Sequence, residues 1–124
     1  MTRKSHSLKN TQAWKNMSKY VRLLEKGVCF TCGNYHPIDE CQAGHFKHSD
    51  TSTFFEEMNV HCQCIKCNQY LSGNLSVYAL RMIDKYGLEA VRDLDKRSNE
   101  YKKRPSKLEL KQISLHYKNK LEIL

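Results

Sequence analysis

Two Cys-x-x-Cys pairs, Cys29-Phe30-Thr31-Cys32 and Cys64-Ile65-Lys66-Cys67, lie 31 residues apart and constrain this chain more than any other feature. A two-residue spacer lets both thiolates face one point, so two such pairs offer the four corners of a tetrahedral zinc site. A thioredoxin-like redox role needs one pair on a βαβ scaffold, and no such pattern is evident. Metal binding free energy becomes folding free energy, which suits residues 28–74, where apolar residues are too few for a core of their own. Cys41 and Cys62 are left over and read as buried apolar cysteines. Cys62 could exchange with Cys64 as a ligand, but the Cys62–Cys67 spacing is less compact.

The chain has 124 residues, 40% hydrophobic and 27% charged, about one domain's worth, so 1–124 is read as a single domain. No apolar run approaches the roughly 18 residues that span a bilayer, and no apolar stretch follows the basic N-terminus. Membrane spanning and secretion are therefore poor readings, and reduced cysteines at tight spacing fit a metal site. The net charge of +8 is uneven: +6 over 1–26, −3 over 27–74 and +5 over 75–124. Four thiolates and one zinc ion together carry −2, which brings the working charge to about +6. Basic arms around an acidic centre favour a polyanion such as nucleic acid, with a divalent cation held against its phosphates.

Trp14, Met17, Val21 and Leu24 recur at helical spacing and predict a basic helix over 8–26, within an N-terminal segment 1–27 that Gly27 ends. Residues 28–63 read as knuckle, loops and short strands, and Val60–Gln63 alternate like a strand with two different faces. The pattern turns helical from Ile65, breaks at Ser72-Gly73-Asn74, resumes at Leu75 and stops at Gly87. Leu88, Val91 and Leu94 continue on a shorter helix in a basic C-terminal region, 88–124. Lys102-Lys103-Arg104-Pro105 reads as a basic hinge. Ser106 and Glu109 then have capping-box spacing. Leu110, Ile113, Tyr117, Leu121 and Leu124 form an apolar stripe that reads as core or as a dimer seam.

Between and beside the cysteine pairs lie Gln42-Ala43-Gly44-His45, Asn59-Val60-His61-Cys62-Gln63-Cys64 and Asn68. Phosphodiester hydrolysis needs a base near neutral pH, which imidazole provides. It also needs a hard cation with oxygen ligands, of which an Asn carbonyl is one. His, Asn and Asn on two strands and a helix form the pattern of HNH, or His-Me finger, nucleases. The stretch Cys29–Gly87 resembles the phage NinG/Rap recombination-endonuclease family, through Cys-x-x-Cys-Gly at 29–33, Ala-Gly-His at 43–45, Asn-Val-His-x-Gln-Cys-x-x-Cys-Asn at 59–68, Leu-Ser-Gly-Asn at 71–74, Tyr78 and Tyr86-Gly87. The zinc–Asn arrangement is also similar to that of phage endonuclease VII.

The resemblance implies an α+β, mostly helical fold with a zinc-bound treble-clef, or ββα-metal, core at 28–87 and flanking helices. It implies a homodimer that uses Mg²⁺ or Mn²⁺ to nick branched DNA, such as Holliday junctions and D-loops, in the cytoplasm of a bacterial host. By residue it implies His45 as general base, Asn59 as the residue that orients the His-bearing loop, and Asn68 as ligand of the catalytic cation. His61 and Glu57 match recurrent family positions, with ligation or phosphate contact open for His61. Related nucleases carry an Asp directly before the His or three residues before it, where this chain has Gly44 and Gln42. Asp39, Glu40 and Glu57 are then the candidate acidic ligands. Rival readings are a non-catalytic zinc module that binds nucleic acid, a sequence-directed HNH nuclease, and a protein-interaction adaptor using the C-terminal stripe. At this length there is little room for base-reading elements, which favours DNA structure over sequence as the target.

Overall fold

A computed structural model describes residues 7–48 and 52–124. Arg3, Lys4 and Asp50, which enter the charge count above, lie outside the described residues, as does the beginning of segment 1–27. Helix α1 spans Gln12–Leu24, not 8–26: the Thr11 hydroxyl accepts the Trp14 N–H and starts the helix there, leaving Leu8–Asn10 as a separate 3₁₀ turn. Gly27, at φ +74°, ends the turn out of the helix, where a Cβ would meet the His36 carbonyl oxygen at 2.2 Å.

Strands β1, Cys41–His45, and β2, Val60–Cys64, pair antiparallel with Ala43 opposite Cys62 and His45 opposite Val60. The expected strand with two different faces is present, and both faces are buried because helices cover each of them. On one face Ala43 and Val60 join Trp14, Met17 and Val21 of α1. On the other, the His61 ring meets Tyr78 of helix α2, Leu75–Tyr86. Helix α3, Leu88–Ser98, completes that layer through Val91 and Leu94. The helix expected from Ile65 is a single π-helical turn, Lys66–Tyr70, because the Gly73 N–H folds back onto the Cys67 carbonyl and ends it.

Helix α4, Lys107–Glu122, opens with the predicted Ser106/Glu109 capping box and packs on α1. Tyr20 and Tyr117 lie 5.5 Å apart, and the Asn16 amide donates to the Ser114 carbonyl at 3.0 Å. Leu110, Ile113, Tyr117 and Leu121 of the C-terminal stripe therefore pack against the core, whereas Leu124 is 56% exposed. The result is a mostly helical α+β fold around a two-stranded sheet. Among the described residues, no helix is long and apolar enough to cross a membrane.

Candidate metal centre and adjoining cleft

The Cys29, Cys32, Cys64 and Cys67 sulfurs all lie within 4.8 Å of one another, with Cys32 and Cys64 at 3.8 Å. Zinc–sulfur bonds of 2.3 Å give a tetrahedron with edges of about 3.8 Å, so the four thiols fit a zinc ion. Backbone N–H groups of Cys32 and Cys67 point at the Cys29 and Cys64 sulfurs, as thiolate ligands require. Burial opposes ionisation of Cys29, but the Cys32 N–H and Thr31 hydroxyl outweigh it and hold the thiol at about 6. Cys62 is outside this set; it and Cys41 are buried in the sheet.

The second knuckle delivers Asn68 to the side of β1, where its Nδ2 donates to the Gln42 Oε1 at 2.8 Å. Both side chains border a polar cleft of about 380 Å³ between β1 and α1, whose other wall carries Lys9, Trp14 and Arg22. The floor beside it is tight. Gln63 is fully buried, and its amide donates to the Thr31 hydroxyl and the Gly73 carbonyl, which turns Oε1 towards Gly44. A Cβ at Gly44 would lie 1.9 Å from that oxygen and 2.8 Å from the Asn68 Oδ1, so this position accepts only glycine without repacking.

His45 ends β1 and is 5% exposed, stacked on Trp14 at 4.8 Å, whose ring borders the cleft. Its Nε2 lies 3.0 Å from the Phe54 carbonyl oxygen. A carbonyl only accepts, so Nε2 carries the proton and Nδ1 keeps the lone pair. Burial, reinforced by Lys9 and His48, lowers its pKa to about 4, and the ring is neutral at pH 7. Asn59 clamps the segment after it: its Oδ1 accepts the Lys47 N–H at 2.7 Å, and its Nδ2 donates to the Lys47 and Thr53 carbonyls.

His61 is placed elsewhere, on the α2 side of the sheet. The Tyr78 hydroxyl donates to the Gly44 carbonyl at 2.7 Å, so it accepts from His61 Nδ1; the Tyr86 hydroxyl then donates to Nε2 at 2.8 Å. Both ring nitrogens are taken, and the ring stacks on Phe30. Phosphate contact or metal ligation by His61, left open on sequence grounds, would require it to give up one of these bonds. Burial and then Lys85 lower its pKa to about 4.

The candidate carboxylates do not reach the cleft. Glu57 binds Lys120 and Tyr117 of α4, which hold its carboxyl below the usual range despite partial burial. Asp39 and Glu40 are exposed in the 3₁₀ turn before β1. Glu56 pairs with Arg97 of α3. A protein-held Mg²⁺ takes one or two carboxylates, and no Asp or Glu among the described residues lines this cleft. The Asn68 and Gln42 amides therefore do not by themselves fit the expected catalytic Mg²⁺ or Mn²⁺.

Sequence reasoning missed Gln63, Trp14, Lys9 and Arg22 as parts of this region. Gln63 was visible inside the 59–68 motif; Lys9 and Arg22 were visible only as charge.

The family model described as "Bacteriophage Lambda NinG protein" matches residues 1–124. The protein ninG of Escherichia phage lambda is 33% identical over 91% of this chain and 55% of its own length. Those of Escherichia phage 933W and Salmonella phage P22 are 32% and 31% identical, each over 91% of this chain and 56% of the relative. The chain thus spans about half the length of the curated relatives it matches. No solved structure matches it.

Proposed function

Because the chain belongs to the phage NinG family, we propose that it is a zinc-organised endonuclease acting on branched DNA, such as Holliday junctions and D-loops. The observation that carries this reading is a neutral His45, its tautomer fixed by the Phe54 carbonyl, behind a cleft bordered by Asn68, Lys9 and Arg22. Lys9 and Arg22 attract the phosphate backbone. Arg22 is held in place by its bonds to the Ser18 and Ile38 carbonyls, so it presents charge with little ordering penalty. His45, with Nδ1 unprotonated, accepts the proton of the attacking water. Asn59 keeps the His45 segment in register, and the Gln42–Asn68 bond keeps Asn68 at the cleft wall. A homodimer suits a two-fold junction, with one site for each nicked strand.

A second reading, nucleic-acid binding without cutting, is favoured by the absence of a carboxylate among the described residues that line the cleft. One experiment separates the two. Zinc-loaded protein is incubated with a four-way junction, a D-loop and linear duplex, with and without Mg²⁺ or Mn²⁺, beside His45→Ala and Asn68→Ala. The nuclease reading expects junction nicking that both variants lose while binding persists. Binding without nicking under every condition supports the second reading, and equal cutting of linear duplex removes the preference for branches.

A further inference from the structure

We propose that the linker between α3 and α4 is a binding site for an unpaired nucleotide strand. The chain leaves α3 at Ser98 and enters α4 at Lys107, and residues 101–106 between them have no regular structure. Tyr101 is 91% exposed, more than any other large hydrophobic side chain among the described residues. Lys102, Lys103 and Arg104 follow it directly. A ring in water beside three consecutive cations matches single-stranded nucleic acid in both respects: phosphates meet the cations, and a base stacks on the ring.

Under the linker lies a cavity of about 350 Å³ with Phe55, Pro105 and Ile113 as its apolar walls and Lys102 and Lys103 at its rim. Glu56, Glu109 and Ser52 complete the lining. Glu56 is engaged by Arg97 and Glu109 by the Ser106 N–H. Their remaining lone pairs repel a phosphate but accept hydrogen bonds from base N–H donors, exocyclic amines and the thymine N3–H alike. A base therefore enters and its phosphates stay outside with the lysines. Duplex DNA keeps its base faces inside the stack and presents phosphates and groove edges, neither of which stacks on Tyr101. The linker therefore distinguishes unpaired strands, such as the displaced strand of a D-loop, from intact duplex. This rests on nucleic acid being the partner, as proposed above, and not on cleavage.

The test is fluorescence anisotropy of the zinc-loaded chain with a labelled short oligothymidylate, a blunt duplex and a four-way junction. Tyr101→Ala is expected to weaken oligothymidylate binding about tenfold, Tyr101→Trp to keep it, and neither to change duplex binding. Replacing both Lys102 and Lys103 by Ala lowers the salt slope for the single strand by about one to two. Tyr101 is exposed, so circular dichroism of both variants should match wild type. Unchanged single-strand affinity in Tyr101→Ala overturns the proposal, as does a wild type that binds duplex but not oligothymidylate. A wild type that binds no DNA at all overturns the nucleic-acid reading and this site with it.

Discussion

Glu25 lies just past the end of α1, where its carboxylate accepts the Cys62 N–H at 2.8 Å. Burial raises its pKa to about 7, against the lowering effects of that bond and of Lys85. The folded chain thus keeps a proton that the unfolded chain releases above 4.5, so this group's contribution to stability falls as pH rises from about 4.5 to 7. His45 and His61 act in the opposite sense: both are held near 4, the unfolded chain protonates them below 6.5, and stability falls as pH drops from 6.5 towards 4. Glu25→Gln keeps an acceptor for Cys62 and removes the buried charge. It should raise stability by roughly 2 kcal/mol at pH 8 and give little gain at pH 5, read from urea midpoints. A gain independent of pH would show that Glu25 titrates normally.

Gly44→Ala, one residue before His45, should lower stability by roughly 1–3 kcal/mol, since the Gln63 amide must leave its bonds to Thr31 and Gly73. The check is a thermal melt alongside zinc content, which should stay at wild-type level. At this scale the order of the polar residues is legible in the sequence and their surroundings are not. His45, Asn59 and Asn68 were legible as polar residues in a distinctive order. That His61 lies in a closed chain of tyrosine hydroxyls was not, because Tyr78 and Tyr86 sit 17 and 25 residues away and nothing local links them.

Among the elements, the two knuckles carry the greatest dependence on something other than packing. Their cysteines make a small cluster of their own, separate from the two apolar clusters. Chelation of zinc should therefore loosen residues 28–74 while α1 and α4, joined through Tyr20, Tyr117 and Asn16, retain protection in hydrogen exchange. Cys64→Ser should lose zinc and Cys62→Ser should keep it; the reverse would reassign the fourth ligand.

At the other end, Ser106→Ala removes the α4 cap and should cost about 1 kcal/mol, measurable as a lowered urea midpoint. Helix boundaries were legible where a single residue decides them, as Gly87 does between α2 and α3 and Ser106 does before α4. They were illegible where two caps compete, as Ser7 and Thr11 do before α1. Periodicity alone predicts a longer helix than the Lys66–Tyr70 turn, because it cannot register that Gly73 folds back on Cys67.

For the molecule as a whole, charge is redistributed by folding. Two of the acids that made the middle of the sequence negative, Glu56 and Glu57, are matched by Arg97 and Lys120 from the basic C-terminal region. Lys47 likewise pairs with Asp95. Among the described residues, what the cleft presents is Lys9 and Arg22 without a carboxylate. Glu56 and Glu57 are thus not free to build the divalent-cation centre that the sequence charge suggests. On the proposed function, DNA affinity should fall steeply with salt, and Lys9→Ala should weaken it while lowering the salt slope by about one. A salt-independent affinity would move the contact away from the phosphates.

The sheet has two outer sides, and they are treated differently. On β2, the Cys62 N–H binds Glu25 and its carbonyl accepts the Phe30 N–H, so a strand from another molecule finds those groups taken. On β1 the outer side borders the cleft, beside Lys9 and Arg22. Charged side chains on an open edge discourage strand addition. The cations that would draw in a phosphate thus also guard the sheet against self-association, and neutralising them for biochemical convenience should yield a protein that aggregates sooner at high concentration.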